Sequence, residues 1–156
     1  MTGWKDRPLL GELRGMWTRL DPMPTDLVDR VLFTLRLEDL EVELMRLHEA
    51  AEPAGARGGP AETAGMITFS SRSLTVMLAV TGDGADLRRV DGWLAPAATL
   101  RIDVRVAGGA DRDTVADEDG RFAFEAPAGL IQLVIRPTEG ATLALDRPVA
   151  TPAVQL

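Results

Sequence analysis

The sequence predicts an α+β fold in which N-terminal amphipathic helices are joined by a Gly/Pro-rich linker to a small antiparallel β-sandwich of about seven strands. Three observations predict it. Apolar residues recur at helical spacing in the first part of the chain and at every second position in the rest. Between them lies "AAEPAGARGGPAETAG", residues 50 to 65, small and Gly/Pro-rich, with no large apolar side chain to anchor it. The expected division is a helical arm over residues 1–50 with helices near 8–20 and 25–49, a flexible linker over 51–65, and the sandwich over 66–156.

The first helix is written in "PLLGELRGMWTRL". Leu9, Leu10, Leu13, Met16, Trp17 and Leu20 fall on one face, and Pro8 suits a first turn, while Gly11 and Gly15 weaken the helix. "DPMP" stops it. Thr25 then serves as an N-cap, with Asp26 and Asp29 at the positive end of the helix dipole. From Thr25 to Glu52 there is no glycine or proline, so one helix of about seven turns is allowed.

Such a helix carries two apolar stripes. Leu27, Val28, Val31, Leu32, Leu35, Val42 and Met45 form one, and Phe33, Leu37, Leu40, Leu44 and Leu47 form the other on the opposite side. One stripe packs on the first helix or the β-domain, and the other needs cover. Two readings stay open: a break near Arg36 that folds the segment into a small bundle, or a partner protein that covers Phe33, Leu37, Leu40, Leu44 and Leu47.

Strand patterning is cleaner. "SLTVMLAV" sets Leu74, Val76, Leu78 and Val80 on one face, and "TLRIDVRV" sets Leu100, Ile102, Val104 and Val106 inward. Ile67 and Phe69, Phe122 and Phe124, and Ile131, Leu133 and Ile135 supply further inward positions. "LRRVDGWLAP" reads as a strand interrupted by Gly92, and "TPAVQL" as a short closing strand.

The acidic run Asp117, Glu118, Asp119 before Gly120 has three readings: half a calcium loop, a pair of catalytic carboxylates, or a turn. With Gly120 at position 6 of an EF-hand loop, positions 1 and 12 fall on Val115 and Ala126, which have no side-chain oxygen. No nucleophile or histidine stands nearby in sequence to make the carboxylates catalytic. Asp-Gly between alternating runs is instead a strong hairpin signal.

Composition bounds the function. At 156 residues and 46% hydrophobic content the chain can bury a sizeable core. No apolar run approaches the roughly 20 residues of a membrane helix, and charges and glycines interrupt residues 1 to 24 where a signal peptide would lie, so a cytoplasmic protein is expected. The absence of cysteine excludes disulfides, thiolate chemistry and Cys-based zinc sites. A formal charge of −7 disfavours nucleic acid and anionic membranes as direct partners and suits basic protein surfaces. His48, the single histidine, reads as a solvated side chain near a helix end, and Trp93 as a core residue with an exposed binding aromatic as the competing reading. Ser70, Ser71 and Ser73 form no nucleophile elbow, and no phosphate loop is present, so no catalytic, metal or cofactor-binding residue is assigned.

"TVADEDGRFAFEAPAGLIQLVIR" resembles the signature of carboxypeptidase regulatory-like domains, the prealbumin-type β-sandwiches, with the match best over residues 97 to 137. The resemblance implies Asp119 and Gly120 as a hairpin turn, Phe122 and Phe124 as core, Gly129 as the turn before the last long strand, and an accessory module without catalytic residues. "WTRLDPMPTDLVDRVLFTLRLEDLEVELMRL", residues 17 to 47, resembles the start of the small helical sigma-binding domains of actinobacterial anti-sigma factors. That resemblance implies a sigma factor as partner. Residues 25 to 49 hold seven acids and three arginines, which suits a basic, DNA-binding partner. The expected function is a non-enzymatic regulatory protein whose arm holds a protein partner and whose sandwich senses or docks. The runner-up is a carbohydrate- or peptide-binding sandwich whose helices cap its own core.

Overall fold

The structure is a computed structural model that describes residues 7–22, 24–25, 27–35, 41–48, 65–82 and 87–156. Two helices, α1 (Arg7–Leu20) and α2 (Leu27–Leu35), precede eleven strands among these residues. The strands are β1 (Glu43–Leu44), β2 (Arg46–His48), β3 (Gly65–Ser70), β4 (Thr75–Thr81), β5 (Leu87–Ala95), β6 (Arg101–Val106), β7 (Arg112–Val115), β8 (Arg121–Pro127), β9 (Leu130–Arg136), β10 (Val149–Ala150) and β11 (Val154–Gln155). One sheet runs β1-β10-β9-β6-β7, with β11 also on β9, and the other runs β2-β3-β4-β5-β8. Every pairing is antiparallel except β1 with β10. The chain is thus α+β, with two helices and two mostly antiparallel sheets.

Period-two patterning puts the two sheets around one core. Val76 and Leu78 of β4, Val90 and Leu94 of β5, Ile102 and Val104 of β6, and Ile131, Leu133 and Ile135 of β9 meet in a single apolar cluster. Each such aliphatic side chain, fully buried, contributes about 1.5 to 3 kcal/mol. Strand β9 is buried on its other side too, because Val134 packs with Ala150 and Val42 on the outer face of the first sheet.

The helix expected over 25–49 is shorter than its periodicity allows. Its described part is Leu27–Leu35, and Glu43–Leu44 and Arg46–His48 are extended. "EVEL" within the leucine-rich run alternates as well as a strand does, and the extended form buries Met45 in the core and sets Val42 against Val134 and Ala150. Residues 43–48 therefore form a strap: β1 hydrogen-bonds to β10 in one sheet, β2 pairs with β3 in the other, and Met45 between them fills the interior. Strands upstream of residue 66, beginning at Glu43, thus take part in both sheets. The expected linker lies outside the described residues except for Gly65, which opens β3.

Gly92 does not interrupt its strand: β5 runs unbroken through it, paired with Leu78 on one side and Phe122 on the other. The Phe122 ring lies over Gly92 where a Cβ would stand and is stacked with Phe124 at 6.4 Å.

The acidic run forms a turn. Asp117 Oδ1 accepts the N–H groups of Asp119 (3.0 Å) and Arg121 (2.8 Å), and the Asp117 carbonyl accepts Gly120 N–H (2.9 Å). It is not a hairpin within one sheet, however, because β7 belongs to the first sheet and β8 to the second. The turn carries the chain round a corner, tied by Thr114 Oγ1 donating to the Ala123 carbonyl and Arg112 to the Glu125 carbonyl. Gly120 has φ of +74°, and a Cβ there would lie 2.8 Å from the Leu94 carbonyl oxygen. Gly120→Val is expected to lower stability by about 2 to 3 kcal/mol, against about 1 kcal/mol for Asp117→Ala, in urea denaturation. Millimolar calcium should leave the melting temperature unchanged. Calcium stabilisation abolished by Asp117→Ala would overturn the structural reading of the turn.

Candidate interaction surface

Both helices present apolar residues to solvent. On α1, Leu9, Leu10, Trp17 and Leu20 are more than 60% exposed, and Leu13 and Met16 about 40%. These six residues are the helix's whole apolar face at i, i+1, i+4, i+7, i+8 and i+11. The helix end is set by Asp21 N–H on the Trp17 carbonyl, and Arg19 Nε folds back onto the Gly15 carbonyl.

On α2 the two stripes separate by environment. Phe33 is 6% exposed, its ring 5.0 Å from the Arg105 guanidinium on the outer face of the first sheet. Arg105 also donates to Gln132 Oε1 (2.8 Å), and Gln132 Nε2 donates to the Thr151 carbonyl (2.9 Å). A buried amide thus orients the guanidinium that carries the ring. Leu27, Val28, Val31 and Leu32, on the side of α2 away from Phe33, are between 38% and 54% exposed.

Of the five residues expected to bind a partner, the three described ones lie on different elements. Phe33 packs on the body, whereas Leu44 and Leu47, both more than half exposed, sit on strands β1 and β2. Leu37 and Leu40 lie outside the described residues. The uncovered apolar residues of α2 belong to its first stripe, and with the apolar face of α1 they account for ten of the exposed large hydrophobic residues among the described ones. Both patterns are plain in the sequence. Which one the body covers depended on Arg105, a tertiary partner that periodicity does not reveal.

Two further expectations change. Trp93 is half-buried on the outer face of the second sheet, because the inward alternates of β5 are Val90, Gly92 and Leu94. Register places it in a row across that sheet with His48, Thr68, Met77 and Arg121. On the same face Arg89 is hydrogen-bonded to Asp91, which raises its pKa above the ordinary value by that bond and by the carboxylate's charge. His48 is on β2 rather than a helix, and its Nε2 shares a hydrogen bond with Ser70 Oγ. A serine is therefore beside the histidine after all. The pair is exposed, and no described carboxylate holds the other ring nitrogen, as the orienting member of a hydrolytic triad would.

Among the described residues no helix is long and apolar enough to cross a membrane, and no cluster of three potential metal-ligating side chains is found. Compared with protein families, curated proteins and solved structures, the chain matches no family model, no curated protein and no solved structure.

Proposed function

We propose that this chain is a non-enzymatic regulatory protein of the cytoplasm whose helical arm binds a protein partner and whose two sheets stack as a prealbumin-like, immunoglobulin-like β-sandwich that docks or senses. The observation that carries the reading is the exposure of the apolar face of α1 and of Leu27, Val28, Val31 and Leu32 of α2. Leaving two amphipathic helices uncovered forgoes burial worth several kcal/mol, which a partner's groove recovers. The partner is a basic protein: the acidic excess over residues 25 to 49 complements it, and the likeness to anti-sigma domains names a sigma factor. The shared core of the two sheets supports the stacked arrangement.

The test is direct binding of the full chain to purified sigma factors of its own cell, by titration calorimetry. Trp17→Asp with Leu20→Asp should weaken binding roughly 100-fold or more, because charging a buried aromatic anchor costs at least about 3 kcal/mol. Both side chains are exposed, so the melting temperature should hold. Binding should also weaken as salt rises. An unchanged affinity in the double variant, or no binding by any sigma factor, defeats the proposal.

A further inference from the structure

At one end of the β-body, an open cleft of about 810 Å³ lies between the strap, the β3–β4 turn and the segment before β10. Its walls carry Arg46, Arg72 and Arg147 together with Ser70, Ser71 and Ser73. All three guanidinium groups are without a hydrogen-bonded or ion-paired partner among the described residues, in a protein with more carboxylates than cations.

On the outer face of the first sheet the arginines are satisfied. A second charged face, on the first sheet, holds Arg101, Arg105, Arg112 and Arg136, but Arg101 and Arg136 pair with Asp103, Arg105 binds Gln132, and Arg112 binds the Glu125 carbonyl. The end cleft, by contrast, is lined by three arginines whose side chains have no partner among the described residues.

The turn that presents Arg72 is held in place. Glu43 Oε1 accepts Arg72 N–H at 2.9 Å, and Ser71 Oγ accepts the N–H groups of Ser73 and Leu74. The backbone is thereby fixed while the Arg72 side chain stays free for a ligand, a form of preorganisation. Guanidinium forks and hydroxyls match the geometry of a tetrahedral oxyanion. Glu43 and Asp146 on the same walls repel an extended polyanion, so the site selects a single anionic group rather than nucleic acid.

We infer that this cleft binds a small phosphate-bearing molecule, with Arg46, Arg72 and Arg147 on the phosphate and the remaining volume open to the group that carries it. The inference rests on the cleft alone and is independent of what the helices bind.

Titration of the full-length protein with inorganic phosphate and with O-phosphoserine, at constant ionic strength against chloride, followed by amide NMR, tests it. Saturable shifts at residues 70–74 and 146–147 are expected with both probes, with tighter binding of the phosphomonoester if its carrier contributes. Arg72→Gln with Arg147→Gln should weaken binding at least 10-fold, and Arg89→Gln, on the outer sheet face, should leave it unchanged. The exposed positions make misfolding testable by the same spectrum, and Arg72→Lys with Arg147→Lys retains the charge and should restore part of the affinity. Shifts equal to those given by chloride, or an affinity that survives the double Gln variant, overturn the inference.

Discussion

Gly92→Ala should destabilise the protein by about 2 to 3 kcal/mol, a large effect for a single methyl group. The added Cβ would overlap the far edge of the ring of Phe122, which pairs with Gly92 across β5 and β8. The ring has little freedom to retreat, because it is 6% exposed and stacked on Phe124. A double-mutant cycle isolates the cause. Phe122→Ala alone should cost about 3 to 5 kcal/mol, but adding Gly92→Ala to it should cost less than about 1 kcal/mol, since the obstructing ring is gone. Additive losses in guanidinium unfolding would show that the glycine is needed for its backbone instead.

The strap gives the second large effect. Met45 is 4% exposed and Leu44, its neighbour, 63%, so Met45→Asp should cost more than about 3 kcal/mol and Leu44→Asp less than about 0.5 kcal/mol. The pair of substitutions also separates extended from helical structure in this segment. On the long helix that the spacing allows, Met45 and Leu44 lie on the two opposite stripes, and Leu44 would be a contact residue. Thermal unfolding of both variants is the measurement, and a harmless Met45→Asp would remove the strap from the fold.

How far the fold was legible depended on how many neighbours each residue needed. Strands such as β4 and β6 could be read from alternation alone, because inward Val76 and Leu78, or Ile102 and Val104, report a single buried face. The helix α1 was as legible, by its spacing. Residues 43–48 were not, since "EVELMRL" satisfies a leucine stripe and a half-buried strand equally, and only the docking of Met45 between two sheets decides between them. Trp93 was misplaced for a similar reason: the glycine beside it looked like a break, and the ring that fills that gap comes from β8. The exposed helix face was present in the sequence as one of two stripes, but the cation under Phe33 that selects between them was not. The arginine cleft could not be read at all, as its three cations come from three separate segments.

The strap bears on the order in which the protein can be made. Glu43 and Leu44 pair with Val149 and Ala150, so they leave the ribosome long before the strand they must join exists. His48, Leu47 and Arg46 find β3 early, which tethers the strap to the second sheet while its other end waits. Closure of the first sheet on that side is therefore a late, long-range event, gated by the emergence of Val149 and Ala150 rather than by the strap's own propensity. Until then a nascent chain would offer chaperones the unpaired edge of β9 and the apolar side chain of Met45 together.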